Sequence, residues 1–461
     1  MRYEGMSLFG AVVSLIFLVL FYTVSYIIVR RRYRDSATQR LFFWGLTLKF
    51  VGALAFAIIY QFYYAGGDTF RYFANASTLV DEFYTDPGHY LELMVKPALD
   101  PNDLRTLTGV TNMLDSDSTY LTVKIASVIG ILTGHHFLVS TFCFAFLSYL
   151  GIWALYRAAY RLYPRYKKYI ATAVLFIPSV YFWGSSIMKD SIVVGFLGLL
   201  VYISYRVMIL REFRIGLMVL FGISLWVLFN VKVYVIISFL PALFLWLVFE
   251  NTKRVKNKRI RVLIKPASAL FVLVMIGVGL PILSSVSEQY SVEAALETAE
   301  VTANYINRVS VEKGGAAYDL GNVSYTPVGL IRVFPQAVIV SLFRPFLWEV
   351  RNPVMLLASL EGTALLLITL YLFLKVGMVN FFRTIFREPF VLASFAFSIL
   401  FAFAVGFSTY NFGSLVRYKI PCLTFYGLVL AITYGEYRAT LNQKDAYRLQ
   451  NSALLRLHNG D

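Results

Sequence analysis

Charged residues, cysteines and histidines are scarce in this sequence. Only 15% of its 461 residues are charged, whereas soluble domains carry about a quarter. The two cysteines, Cys143 and Cys422, fall inside apolar segments, which excludes a disulfide framework and favours buried packing. The four histidines show no ligand spacing such as His-x-x-x-His. These absences argue against a soluble domain, a disulfide scaffold and a histidine metal site.

Apolar residues are abundant instead. Hydrophobic residues make up 58% of the chain and aromatic residues 17%, and the mean hydropathy is +0.66. Apolar stretches of roughly 20 residues recur, each long enough to cross a hydrocarbon core about 30 Å thick. The sequence therefore predicts an all-α polytopic membrane protein with about eleven transmembrane helices. The predicted spans are 7–29, 41–63, 137–157, 169–183, 191–209, 215–231, 233–249, 263–284, 354–374, 389–408 and 420–437.

Basic residues favour one orientation. Five arginines between Arg30 and Arg40 follow the first span, and only Arg2 precedes it. The positive-inside rule places the amino terminus outside and the carboxyl terminus in the cytoplasm. Every second loop is then basic, while loops 64–122 and 285–326 are acidic. The net charge of +16 is thus mostly a cytoplasmic face against anionic lipid; without a soluble basic domain, no nucleic-acid partner is expected.

These patterns predict three regions. They are an amino-terminal anchor span with a basic cytoplasmic loop (1–40), a transmembrane catalytic module with outer loops 64–136 and 285–353 (41–437), and a cytoplasmic tail (438–461). Two apolar segments, 123–134 and 327–346, are predicted as interfacial or re-entrant helices. There is no internal repeat.

Charges near membrane depth are costly, about 2.5–3.5 kcal/mol at a span centre, so they usually pair or line a wet cavity. The first such cluster is Asp68 with Arg71, after Gly66-Gly67 at the end of the second span. Glycine lets the backbone turn tightly and approach a ligand. Asp68 is therefore a candidate catalytic or metal-binding residue. A helix cap, with Arg71 as its i,i+3 partner, is the alternative.

The second cluster follows a break at Gly184-Ser185-Ser186. Asp190 or Ser191 is predicted to cap the returning helix, whose first amides form an anion site. Lys189 supplies a point charge suited to phosphate. The alternative is an interface anchor built on Trp183 and a snorkelling Lys189.

The third cluster lies before and inside a late span. Glu361 falls about two turns into that span, where its desolvation demands a partner or a proton. Arg344, Arg351 and Arg417 are the candidate partners, and a structural buried ion pair is an equal alternative. The substrate-binding candidates in this region are Arg332, Arg344, Glu349, Arg351 and Glu361.

The fourth cluster stands at the mouth of the last span. Arg417 suits bidentate phosphate binding, and Lys419 adds a second cation; a snorkelling belt is the alternative. Lys49 and Lys232 have no evident partner in the sequence, and we assign them no role.

Together these motifs resemble the GT-C superfamily of integral-membrane glycosyltransferases, and more loosely the EpsG-like and polysaccharide-polymerase proteins of bacterial envelopes. The resemblance covers roughly residues 41–437 and includes the Gly-Gly-Asp68 opening of a long outer loop. It implies that Asp68 acts as general base or metal-site residue and that the donor is a polyprenyl-linked sugar. The chain departs from the family by an extra amino-terminal span. It also lacks a Trp-Trp-Asp-type motif, so a protein N-glycosylating oligosaccharyltransferase is not expected.

The resulting hypothesis is a glycosyltransferase of the bacterial inner membrane. It moves a sugar from a polyprenyl-phosphate donor to a glycan or lipid-linked acceptor on the outer face, with membrane lipid as its surroundings. Asp68 is the base, with Asp190 second by placement, and Arg71, Lys189, Arg417 and Lys419 bind substrate. A divalent metal at Asp68 (Mg²⁺ or Mn²⁺) and the oligomeric state stay open. The alternatives are a Wzy-like polymerase with an arginine-lined pocket, and a flippase or other transporter, which the missing repeat disfavours.

Overall fold

The structure is a computed structural model. It describes residues 6–100, 117–257, 259–264, 266–268, 270–271, 317–321 and 326–459, together with residues 103, 107, 297, 300, 301, 305 and 308. Most of the predicted outer loop 285–326 and of the predicted span 263–284 lies outside the described residues.

The described chain is a bundle of helices. Their bounds are α1 Leu8–Arg32, α2 Ser36–Ile58, α3 Asp68–Thr85, α4 Pro87–Val95, α5 Asp117–Thr133, α6 Phe137–Leu162, α7 Lys167–Leu175, α8 Pro178–Trp183, α9 Lys189–Ser204, α10 Ile215–Val231, α11 Val233–Thr252, α12 Pro327–Phe343, α13 Pro353–Val376, α14 Met378–Arg387, α15 Pro389–Thr409, α16 Phe412–Tyr418 and α17 Ile420–Asn459. Short π-helical segments, Ile59–Tyr63 and Tyr205–Ile209, extend α2 and α9.

The prediction of an all-α multi-pass membrane protein is confirmed. Within the described residues, seven helices are long and apolar enough to cross a membrane, or eight if α16 and α17, bent by 58°, form one span. Eleven spans were expected. The difference has three sources: 169–183 is divided into α7 and α8, α10 has only 17 residues, and 263–284 is largely undescribed. The segments predicted as interfacial or re-entrant are helical, as α5 and α12.

The first two helices define the two ends of the bundle. α1 and α2 are joined by a short turn, so Arg32 lies beside the start of α2, where Asp35 accepts hydrogen bonds from the amides of Ala37 and Thr38. At the other end, the Met6 amide donates to Gln61 Oε1. We call these ends the Arg32 end and the Asp68 end, because Asp68 follows α2 directly.

The chain then passes repeatedly between these ends. α6 runs towards the Arg32 end, where Trp153 Nε1 donates to the hydroxyl of Tyr33. Lys167, at the start of α7, forms an ion pair with Asp35, and α8 returns to the Asp68 end. The basic loops that were predicted to share one face therefore meet at the Arg32 end. α17 also reaches this end, where Glu436 pairs with Arg387, and continues as one helix through the predicted tail to Asn459.

Glycines allow the closest helix crossing in the bundle. At Gly151 of α6, an added Cβ would lie 1.8 Å from the carbonyl oxygen of Gly195 in α9. At Gly198 it would lie 2.3 Å from the carbonyl oxygen of Gly151. Small residues let helix backbones approach in this way where packing, not water exclusion, drives association. This crossing fixes α9, and with it the charged start of α9, against the centre of the bundle.

Candidate functional site

Asp68 is presented by a strained turn at the end of α2. The helix widens into the π-helical segment Ile59–Tyr63, a feature that often marks functional positions. Gly67 then adopts a φ of 127°, and a Cβ there would meet the Tyr60 ring at 2.6 Å. Both observations require glycine. The turn delivers Asp68 as the first residue of α3, and Gly67 rather than Asp68 is the N-cap, so the helix-cap alternative for Asp68 is wrong.

Asp190 lies in the first turn of α9 and is fully buried, with 0% of its side chain exposed. The prediction that Asp190 or Ser191 caps this helix is wrong, because the N-cap is Met188 and no side chain caps it. Ser191 Oγ instead accepts from the Ser186 amide and donates to its carbonyl oxygen, which closes the preceding turn. Asp190 is thereby left for longer-range partners.

Arg417 joins the two carboxylates. Its Nη1 donates to Asp68 Oδ2 at 2.9 Å, across 349 positions of sequence, and its Nε donates to Asp190 Oδ2 at 2.6 Å. Arg417 belongs to α16, a short helix whose N-cap, Asn411, accepts hydrogen bonds from two backbone amides. The first, second and fourth predicted clusters therefore meet at the guanidinium of Arg417.

Lys232 completes the pairing of Asp190. Its Nζ donates to Asp190 Oδ1 at 2.5 Å and stands 4.3 Å from the centroid of the Tyr418 ring. The sequence shows no partner for Lys232, and the structure supplies one in Asp190. One sequence feature points to a partner. Lys232 is the single residue between two apolar helices, and an ammonium group buried there must have a partner.

Lys189 lies beside this group but pairs differently. Its Nζ donates to Ser118 Oγ at 2.8 Å, which ties the start of α9 to α5. It remains within electrostatic range of Asp68, Asp190 and both other cations. Tyr72 approaches from α3, and burial together with the Asp68 carboxylate raises the pKa of its phenol. Tyr72 is thus a buried, neutral phenol near Asp68.

The third predicted cluster forms a separate pair close to α17. Arg344 binds Glu349 through both Nε and Nη2. Burial raises the pKa of Glu349, but the hydrogen bonds from Arg344 and from the Phe346 amide outweigh it and lower the pKa below its usual value. Lys419, almost fully buried, donates to the carbonyl oxygen of Arg344 at 2.8 Å. The backbone of this cluster therefore contacts Lys419, two residues after Arg417 in the sequence.

Two of the three arginines expected as partners of Glu361 bind other carboxylates. Arg344 binds Glu349, and Arg417 binds the two aspartates, so neither is its counter-ion. The Ser179 amide at the start of α8 donates to Glu361 Oε2 at 2.8 Å. Lys49, also expected to lack a partner, donates to the carbonyl oxygen of Val180 at 3.1 Å. Both ionisable groups therefore brace the broken segment between α7 and α9.

Three predicted substrate-binding arginines are exposed. Arg71 lies on α3, Arg332 on α12 and Arg351 just before α13, all with exposed side chains. No ion pair between described residues joins any of them to Asp68 or Asp190. Of the arginines we singled out, Arg417 alone bridges the two carboxylates in the described part of the chain.

The charge balance of the candidate site favours anions over metals. Two carboxylates, Asp68 and Asp190, stand among three cations, Arg417, Lys232 and Lys189. The described residues contain no group of three metal-ligating side chains. Since each carboxylate is bound by a cationic side chain, the residues present do not fit the divalent ion left open at Asp68. An incoming phosphate would instead meet an excess of positive charge.

Comparison with known proteins gives no relative: no family model, no curated protein and no solved structure matches the chain.

Proposed function

We propose that the protein is an integral-membrane glycosyltransferase, which moves a sugar from a polyprenyl-phosphate donor to a glycan or lipid-linked acceptor. The site lies at the Asp68 end, which by the charge of the loops faces away from the cytoplasm of a bacterial inner membrane. The observation that supports this most is the convergence of Asp68, Asp190 and Arg417 from distant segments.

The two aspartates differ in a way that assigns their roles. Asp68 keeps 34% of its side chain exposed, whereas Asp190 has none exposed and is held by two cations. Asp68 is therefore the carboxylate that can reach an acceptor hydroxyl. Asp190 is a positioning residue. It orients Arg417 and Lys232, because side chains that act on a substrate need hydrogen-bonded neighbours to hold their geometry.

In this mechanism Asp68 accepts the proton of the acceptor hydroxyl as the acceptor oxygen bonds to the anomeric carbon of the donor sugar. The bond between that carbon and the phosphate oxygen breaks, and its electron pair leaves with the polyprenyl phosphate. In this proposal Lys189 and Arg417 stabilise the negative charge that builds on the leaving phosphate. No metal is needed in this scheme, because the cations belong to the chain.

Asp68→Asn tests the assignment. The amide keeps the size of the side chain but cannot take a proton, so we expect sugar transfer to fall about 100- to 10,000-fold. The measurement is transfer of a radiolabelled hexose from its polyprenyl-phosphate ester in proteoliposomes, with release of polyprenyl phosphate followed in parallel. The matched control is Asp81→Asn, the same chemical change at an exposed position of α3, which should leave turnover unaltered.

Other outcomes select the alternatives. Suppose that Asp68→Asn keeps wild-type turnover and Arg417→Lys loses activity. These two results together would rule out Asp68 as general base and support an arginine-based polymerase mechanism. Movement of intact lipid-linked sugar across the bilayer, with no transfer by the wild-type protein, would identify a transporter and end the glycosyltransferase proposal.

A further inference from the structure

A second charged cavity lies at the opposite end of the bundle from Asp68. Its volume is about 650 Å³, within the range of small-molecule sites. The helix ends of α1, α6 and α9 and the segment before α10 surround it. Its six arginines are Arg32, Arg34, Arg157, Arg161, Arg206 and Arg214.

The cavity has more cations than its own carboxylates can neutralise. Its two acidic residues are already used: Asp35 pairs with Lys167 at 3.0 Å, and Glu212 pairs with Arg206. The other five arginines of the lining form no ion pair with any described residue. Arg32, Arg34, Arg161 and Arg214 are exposed, and together with the buried Arg157 they surround one concave volume.

Arg157 is the deepest of these arginines. It is 8% exposed, and its Nε has no hydrogen-bond partner among the described residues. Its guanidinium stands 4.7 Å from the centroid of the Tyr202 ring and 5.6 Å from that of Tyr33. Aromatic faces stabilise such a cation only in part. A buried guanidinium with an unused donor at the wall of a basic cavity indicates an anionic partner.

We propose that this cavity binds a phosphate-bearing anion. Guanidinium groups bind phosphate oxygens through paired N–H donors, and several of them converging on one volume suit a phosphate group, which offers more oxygens than a carboxylate. The phosphate can belong to the head group of an anionic phospholipid or to a soluble compound. Because the ligand joins loops that are far apart in sequence, its binding stabilises the Arg32 end of the bundle.

The test compares two sets of charge removals. The cavity variant is Arg34→Gln/Arg161→Gln/Arg214→Gln. These positions are exposed in the free structure, so the substitutions disturb little packing.

The control variant is Arg31→Gln/Arg165→Gln/Lys168→Gln. It removes the same charge from exposed positions at the same end of the bundle, but none of these residues lines the cavity. Any effect of net charge alone is therefore equal in the two variants.

Two probes distinguish the source of the phosphate. Sodium pyrophosphate is titrated at constant ionic strength in neutral detergent. Separately, the protein is placed in nanodiscs of phosphatidylcholine with or without phosphatidylglycerol. Binding is read as the rise in melting temperature. We expect the wild type and the control variant to respond alike and the cavity variant to bind at least about tenfold more weakly.

A response to pyrophosphate alone assigns a soluble phosphate, and a response to phosphatidylglycerol alone assigns a lipid head group. The same affinity in both triple variants, or no response of the wild type to either probe, overturns the proposal. If the cavity variant does not fold, the single exchanges Arg34→Gln and Arg214→Gln are compared with Arg31→Gln by the same titration.

Discussion

At Asp190, two cations approach the two oxygens of one carboxylate that has no contact with solvent. The sequence analysis assigned Asp68, Asp190 and Arg417 to one reaction on the outer face, because charges near membrane depth usually pair or line a wet cavity. Lys232 was missed because its neighbours are apolar on both sides and its partner is 42 positions away. Pairing over such distances depends on how the helices pack, which no local pattern encodes.

Lys232→Met tests the buried pair. The change removes one of the two cations that compensate Asp190, and breaking such a pair from one side costs on the order of 3 kcal/mol. We expect a clearly lower melting temperature in detergent, measured by the fluorescence of the tryptophans. The double variant Asp190→Asn/Lys232→Met should recover part of the loss, because no uncompensated charge remains.

The matched control is Lys253→Met. Lys253 pairs with Glu250 at the surface and is half exposed, and such pairs contribute about 0–1 kcal/mol. Equal melting temperatures for the Lys232 and Lys253 variants would show that Asp190 does not depend on Lys232.

At the scale of helices, the sequence was most informative where an apolar run is long and unbroken. Predicted spans of this kind correspond to helices α2, α6, α9, α11, α13 and α15. Breaks were harder to place. The division between α7 and α8 falls just before Pro178, and the 58° bend between α16 and α17 falls just before Pro421. Proline lacks the amide hydrogen that continues a helix, but it does not fix the angle of the bend.

The crossing of α6 and α9 provides a test at this scale. Gly151→Ala would place a methyl group against a backbone carbonyl of α9, and neither helix can yield through a side chain. Overpacking of this kind costs about 1–3 kcal/mol. We expect a lower melting temperature and, because α9 carries Lys189 and Asp190, weaker sugar transfer as well.

Gly216→Ala, in α10, is the control, because nothing lies within 4 Å of an added Cβ there. Alanine favours a helix over glycine by up to about 1 kcal/mol, so this variant should be as stable as the wild type or slightly more so. An unchanged melting temperature in Gly151→Ala would mean that α6 and α9 do not approach as closely as described.

The whole molecule has two charged ends with different character. At the Asp68 end, carboxylates and cations pair with one another; at the Arg32 end, arginines exceed the carboxylates near them. The sequence anticipated this asymmetry from its loops, because the positive-inside bias is a count of residues and requires no tertiary contact. It could not anticipate that the basic loops enclose a cavity, since that depends on how α1, α6 and α9 end together.

Cysteine labelling tests the orientation that the proposed function uses. In a background where Cys143 and Cys422 are serine, one new cysteine is placed at each end. Thr85, the exposed last residue of α3, is replaced at one end, and Asn442, on the exposed part of α17, is replaced at the other. A membrane-impermeant maleimide added to intact bacterial spheroplasts should label position 85, whereas position 442 should react only after lysis, because basic loops are retained on the cytoplasmic side. The reverse pattern would place Asp68 on the cytoplasmic side and rule out sugar transfer on the outer face. Labelling of both positions in intact spheroplasts would exclude a membrane-spanning bundle with these two ends.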